Sequence, residues 1–188
     1  MVFIGIFFYA ILFIALMWMY FLIFKVLTNK EFAKTPPFVP SFGKEYQIIE
    51  SEVSKILESS NNLKIVDPGC GTGSLIIKLA KKFPNHNFVG VEWSLPVYKI
   101  CKWRCRNIKN ITIIKDNLFN YPFDDTDIIV CFLMQPLMED VGSKIIKECK
   151  KTVVFSNSFY IPNLKLTEEF KTTKKGFIEN VYKYNLGL

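Results

Sequence analysis

Between the apolar run Leu63 to Val66 and an apolar helical pattern opening at Ser74 stands Asp67-Pro68-Gly69-Cys70-Gly71-Thr72-Gly73, with glycine at every second position. Glycine leaves no side chain where the backbone turns from strand into helix, so a ligand can lie directly against the main chain. Such a turn commits the surrounding chain to a strand, loop and helix that share a cofactor site. Spacing then separates the cofactors. A dinucleotide site places its third glycine three residues after the second, where Ser74 stands here, so that reading requires a substitution. A phosphate-binding loop closes on Gly-Lys-Ser/Thr, which this stretch lacks.

The rest of the chain alternates strands and helices around that unit. Lys64 to Asp67, Asn87 to Glu92, Ile111 to Lys115, Asp127 to Leu133 and Thr152 to Ser156 read as strands, and Ser74 to Phe83, Pro96 to Asn107 and Leu137 to Lys150 as helices. Ser94 stands where it would cap the second of these helices, with Pro96 in its first turn. A further helical stripe, Ile49, Val53, Ile56 and Leu57, precedes the first strand. Phe170 to Lys174 and Asn180 to Asn185, separated by Lys175-Gly176, read as a terminal hairpin. Inner strands such as Ile128 to Leu133 are continuously apolar, as expected where helices cover both faces of a parallel sheet. The expected fold is therefore a doubly wound, Rossmann-like α/β domain over residues 43–188, mostly parallel, with a C-terminal antiparallel hairpin.

Ahead of that domain, Met1 to Phe24 carries no charged residue. At about 1.5 Å per residue, a helix of that length reaches roughly 36 Å, enough to cross a hydrocarbon core of about 30 Å. A cleaved signal peptide would need a basic start, a shorter apolar stretch and a small-residue cleavage site, so an uncleaved transmembrane anchor is expected over residues 1–24. Lys25, Lys30 and Lys34 flank it only on the C-terminal side, which places the following domain on the cytoplasmic face of a single-pass membrane protein. Residues 25–42, with Thr35-Pro36-Pro37-Phe38-Val39-Pro40-Ser41, form a non-helical linker or lid.

The anchor explains a mean hydropathy of +0.21, and the formal charge of +7 belongs wholly to the residues after it. A basic domain held at a bilayer is drawn to anionic headgroups. The lysines are scattered, and the densest group, Lys99, Lys102, Arg104, Arg106 and Lys109, reads as the solvated face of one helix, so no nucleic-acid partner is expected. The five cysteines, Cys70, Cys101, Cys105, Cys131 and Cys149, form no C-x-x-C pair, which argues against a metal site and a disulfide framework. Cys101 and Cys105 share a helix face and are expected in the core. His86, the one histidine, follows Pro84-Asn85 and is expected on an exposed loop.

In an open parallel sheet the ligand lies beyond the carboxyl ends of the strands, where the strand order reverses. Three successive strands deliver acids to that edge: Asp67, Glu92 and Asp116. The D-x-G-x-G-x-G order of Asp67 to Gly73 resembles motif I of the class I S-adenosylmethionine (SAM) methyltransferases. With SAM as cofactor, Gly69, Cys70, Gly71 and Gly73 form the loop, and Glu92 accepts from the ribose hydroxyls. Asp116 then accepts from the adenine amino group while Asn117 donates to the ring, and Trp93 flanks the adenine. Asp67 holds the loop or, through water, the methionyl ammonium.

After the fourth strand, Phe132-Leu133-Met134-Gln135-Pro136-Leu137 occupies the place where enzymes methylating base or glutamine nitrogens carry Asn/Asp-Pro-Pro-Tyr/Phe. Its absence disfavours nucleobase methylation and makes Gln135 and Pro136 acceptor-side candidates, with helix capping an equal alternative for Gln135. Taken with the apolar N-terminus, Pro37 to Ser41, Trp103-Arg104, Asp116 to Phe119, Phe132 to Asp140 and Ser156 to Pro162, the chain resembles the membrane-associated protein-lysine methyltransferases that act on the adenine nucleotide translocase and the ATP synthase c-subunit. The resemblance implies methylation of a lysine on a membrane protein, with Phe38, Gln135, Pro136 and Tyr160 as candidates for the acceptor channel. It identifies no general base. Cys70-Gly71-Thr72 departs from the Gly-Asp-Gly often found in that family. A methyltransferase for a lipid or quinone, and a non-catalytic scaffold of the same fold, are the competing expectations.

Overall fold

The structure is a computed structural model that describes residues 12–21, 43–174 and 177–187. Residues 12–21 are helical, with every side chain exposed. The rest of the expected anchor, residues 1–11 and 22–24, and the whole of the linker, Phe38 included, lie outside the described residues. Among the described residues no helix is long and apolar enough to cross a membrane.

From Gly43 onward the chain runs α1 (Lys44–Glu58), β1 (Lys64–Pro68), α2 (Ser74–Lys82), β2 (Asn87–Glu92), α3 (Leu95–Cys105), β3 (Ile111–Lys115), β4 (Ile128–Cys131), a 3-10 turn (Gln135–Leu137), α4 (Met138–Glu148), β5 (Thr152–Asn157), β6 (Leu166–Lys174) and β7 (Phe177–Leu186). The sheet order is β3-β2-β1-β4-β5-β7-β6. The first five strands are parallel, and β7 runs antiparallel to both β5 and β6. The order reverses between β1 and β4, and the glycine turn leaves β1 at that point.

Continuous apolar strands fill both faces. Ile65, Phe88, Ile128, Val130 and Phe155 pack with α1 and α2 on one side, while Val66, Val91, Ile129, Cys131 and Val154 pack with Met138, Val141 and Ile145 of α4 on the other. Burial of such side chains contributes about 1.5–3 kcal/mol each. Alternation along a strand sends neighbouring residues to opposite faces, so a run without polar interruptions supplies both cores at once.

Several boundaries differ from the sequence pattern. The fourth strand ends at Cys131 rather than Leu133, and α4 begins at Met138 because Gln135-Pro136-Leu137 winds as a tighter turn. The hairpin strands are longer than expected, reaching back to Leu166 and forward to Leu186. Ser94 precedes α3, but its side chain makes no capping bond; its N–H donates to Glu92 Oε1 at 2.7 Å.

His86 is the clearest correction. It is 3% exposed, and its Nδ1 accepts from the Leu63 N–H at 3.2 Å, which ties the connection before β2 to the start of β1. The Asn110 amide donates to the carbonyls of Ala80, Phe83 and His86 at 3.0–3.1 Å. A loop that would otherwise bury unpaired backbone is thereby satisfied.

Candidate active site

Gly69, Gly71 and Gly73 all have positive φ, at 86°, 56° and 77°. A side chain at any of them would be strained, which is the physical reason for glycine at alternate positions. The turn is fixed from beneath: the Gly69 and Cys70 N–H groups both donate to the Val91 carbonyl, at 2.8 and 3.1 Å. Gly73 lies in the left-handed region at the head of α2, where its carbonyl accepts from Ile77 N–H at 2.9 Å.

Glu92 closes the other side. Its Oε2 accepts from Gly71 N–H at 3.0 Å and its Oε1 from Ser94 N–H at 2.7 Å, so one carboxylate bridges the glycine loop and the entry to α3. Each oxygen has a second acceptor position, so the carboxylate can hold the loop and still receive two ligand hydroxyls. Register fixes the stagger of the acids. Asp67 pairs with Gly90, and Glu92 with Lys115, so Glu92 stands two residues beyond Asp67 and Asp116 one residue beyond Glu92.

Asp67 is buried, and its pKa is pushed up to about 7, first by burial and then by the Glu92 charge. A carboxyl so placed favours a cation arriving beside it. Asp116 instead shapes its own turn, its Oδ1 accepting from Asn117 N–H at 2.7 Å and Asn120 Nδ2 at 3.0 Å. Asn117 Oδ1 accepts from Phe119 N–H at 3.0 Å, which leaves the Asn117 amide nitrogen as the donor of that group. Trp93 is half exposed beside Glu92.

Cys70 contributes main chain only. Its thiol points into the core, 4.0 Å from Cys101 Sγ, beneath Gly90. All five cysteines are buried and free, and among the described residues no group of three His, Cys, Asp or Glu is placed to hold a metal.

Two residues that sequence reasoning left out of the site belong beside it. Arg104, expected on a solvated face, donates from Nη1 to the Thr72 carbonyl at 2.7 Å and so braces the glycine loop from α3. Tyr46 of α1 has its phenol pushed up to about 12, by burial and then by Glu50 and Asp67, which places it within the field of Asp67. The Trp103-Arg104 pair stood in the sequence as a signal for the first; nothing in the helical stripe of α1 marked the second.

Of the acceptor-side candidates, Gln135 and Tyr160 meet. Gln135 caps no helix; its Nε2 donates to the Tyr160 carbonyl at 3.4 Å, joining the loops that follow β4 and β5. Pro136 lies in the 3-10 turn. Phe132 stacks on Phe159, centroids 6.3 Å apart, and Tyr160 meets the rings of Tyr182 and Tyr184 at 5.7 and 6.2 Å. The Ser156 hydroxyl fixes this turn by donating to the Phe159 carbonyl at 2.6 Å.

The donor set fits SAM: a glycine loop free of side chains, a carboxylate that bridges the loop to α3 with acceptor positions to spare, a buried carboxyl beneath the loop, and an acid beside an amide at the next strand end. Comparison with known proteins agrees. Residues 67–168 match the family described as the ANTKMT methyltransferase domain, which takes in all three strand-end acids. A protein-lysine N-methyltransferase of Saccharolobus islandicus is 29% identical over 157 residues, 80% of this chain and 94% of that protein. A tRNA (guanine-N(7)-)-methyltransferase of Chloroherpeton thalassium is 45% identical over 60 residues, but this stretch spans only 26% of that protein and 31% of this chain. The fold is shared with an RNA methyltransferase of Salinibacter ruber solved with S-adenosyl-L-homocysteine, at a TM-score of 0.65 and 14% identity over 79% of this chain and 94% of that one. The chain belongs to the ANTKMT methyltransferase domain family and is a SAM-dependent methyltransferase of the class I fold.

Proposed function

We propose that this enzyme methylates the side-chain nitrogen of a lysine on a membrane protein. The observation that carries the lysine reading is the likeness to the Saccharolobus protein-lysine methyltransferase across 80% of this chain. The match to the tRNA enzyme covers only 26% of that protein and carries no comparable weight. SAM supplies a methyl group on a sulfonium, already electrophilic. What remains for the protein is alignment and exclusion of water.

The glycine loop and Glu92 fix the cofactor's position, and Asp67 receives its cationic end. Phe132, Phe159 and Tyr160 supply apolar walls for the approaching side chain. A lysine with a free pKa of about 10.4 must lose its proton before its lone pair can react, and desolvation between aromatic rings favours the neutral amine. Gln135, held at the Tyr160 carbonyl, is the polar group at that mouth.

The membrane part of the proposal is supported by the uncharged Met1 to Phe24 and by residues 12–21, where Leu12 to Phe21 expose apolar side chains around the whole helix. A helix apolar on every side is found in a core or in a bilayer. The basic residues after it favour a cytoplasmic catalytic domain. Incubation of the native membrane fraction with the enzyme and methyl-tritiated SAM tests the acceptor. Label should enter protein, resist base and be recovered as methyllysine after hydrolysis. Label confined to the lipid extract would establish the lipid or quinone alternative instead.

A further inference from the structure

Helix α3 packs on the sheet through Cys101 and Cys105 and leaves the opposite face without a protein partner among the described residues. That face is not the polar surface such a helix ordinarily presents. Trp103 is 65% exposed, with Ile100 and Leu95, each 50% exposed, on the same side. Three and four residues before Trp103 stand Ile100 and Lys99, and the Arg106 guanidinium stacks over the indole at 4.4 Å. From Trp93 to Lys115 the sequence has Lys99, Lys102, Arg104, Arg106, Lys109 and Lys115 and no acid, and all six basic side chains are exposed.

We propose that the outer face of α3, with the turn that follows it, docks on an anionic lipid surface, with Trp103, Ile100 and Leu95 entering the headgroup region and Lys99, Lys102, Arg106 and Lys109 pairing with lipid phosphates. A ring at the level of the headgroups, aliphatic side chains beside it and cations around them match a bilayer interface. Nucleic acid would use the charge and the ring, but it gains little from exposed Leu95 and Ile100, since single strands bind by stacking bases on aromatic faces. The inference goes beyond the methyl-transfer reading and does not depend on the N-terminal segment crossing the bilayer. It has a consequence for the site: α3 opens directly after Glu92 and Ser94, and its Arg104 holds the glycine loop, so docking places the cofactor edge beside the lipid surface.

The full chain carries three tryptophans, so Trp18→Phe leaves Trp93 and Trp103, and Trp18→Phe/Trp103→Phe leaves Trp93 alone. Fluorescence of both chains is read on vesicles whose acyl chains are brominated near the carbonyl end, with or without phosphatidylserine. The inference expects quenching of the Trp103 component on phosphatidylserine vesicles, reversed by high salt and absent on phosphatidylcholine alone. Lys99→Gln/Lys109→Gln, which touches neither cofactor nor acceptor loops, should lower the docked-to-undocked ratio about 25-fold, at about fivefold per charge. Trp103 unquenched on anionic vesicles overturns the proposal, as does a salt-sensitive Trp103 response to transfer RNA without one to vesicles. Shielding of Trp103 from aqueous iodide before any vesicle is added would also overturn it, because the face would then be covered by the chain itself. Flotation of the chain with vesicles in high salt reads the N-terminal anchor separately, so the failure of one reading is not mistaken for the failure of the other.

Discussion

Asp67 is the group whose proton should leave when SAM binds. Its pKa of about 7 arises from burial and from the Glu92 charge, and a cation placed beside it opposes both. With that pKa, roughly nine in ten of the carboxyls hold a proton at pH 6, about half at pH 7 and about one in ten at pH 8. If binding brings the methionyl ammonium near Asp67, each binding event releases about those fractions of a proton. Titration calorimetry with SAM in two buffers of different ionisation enthalpy reads the number directly. Wild type should release about half a proton at pH 7 and little at pH 8, and Asp67→Asn should release none from this source. Equal release by both proteins would refute the placement of the ammonium. The same group acts on stability. Its folded pKa stands above its ordinary 3.8, so the folded state holds more protons between about pH 4 and pH 7, and the associated stability, complete below pH 4, is lost as pH rises to 7. Three units at about 1.4 kcal/mol each bound that loss at about 4 kcal/mol, and Asp67→Asn should flatten it.

The packing beneath the loop makes further predictions. A Cβ at Gly90 would stand 2.7 Å from Cys70 Sγ and 2.8 Å from Ile76 Cδ1, so Gly90→Ala should cost about 1–3 kcal/mol in urea unfolding. Cys70→Ala in the same chain removes the first clash and should recover part of that loss; strictly additive losses would show that the two side chains do not meet. Lys144 pairs with Glu148 at 2.6 Å and donates to the Phe119 carbonyl at 3.3 Å, while Glu148 accepts from Phe123 N–H at 2.9 Å. Lys144→Ala should therefore destabilise by roughly 1–3 kcal/mol, the lysine being mostly buried and the glutamate partly open to solvent. An unchanged unfolding midpoint would contradict this.

How much of this was legible in the sequence depends on whether the responsible interaction is local. The glycine loop was, because left-handed backbone demands glycine residue by residue. The strand-end acids were as well, because Asp67, Glu92 and Asp116 each stand within one residue of the end of a mostly apolar strand. The hairpin was found but cut short: β6 is a mostly exposed edge strand in which Thr167, Glu168 and Glu169 give almost no alternating signal. His86 was misplaced because its partner, the Leu63 N–H, lies 23 residues away and has no side-chain signature. Arg104 was grouped with the solvated lysines because its acceptor is a carbonyl on the glycine loop, visible only once α3 lies against that loop. Gln135 offered two equal readings, and the Tyr160 carbonyl that draws its amide away from capping belongs to another strand's exit.

Binding of SAM by wild type and by Glu92→Ala tests the central claim most directly, since every role assigned to the site converges on that carboxylate. Glu92 holds Gly71 and Ser94 and has acceptor positions left for two ribose hydroxyls. Its loss should weaken binding by about 1.5–3 kcal/mol for each charged hydrogen bond removed, or roughly 10- to 150-fold in Kd for one. Calorimetry on the full chain should show that loss with the fold intact by circular dichroism. Equal affinity in the two proteins, or no SAM binding by wild type, would contradict the account.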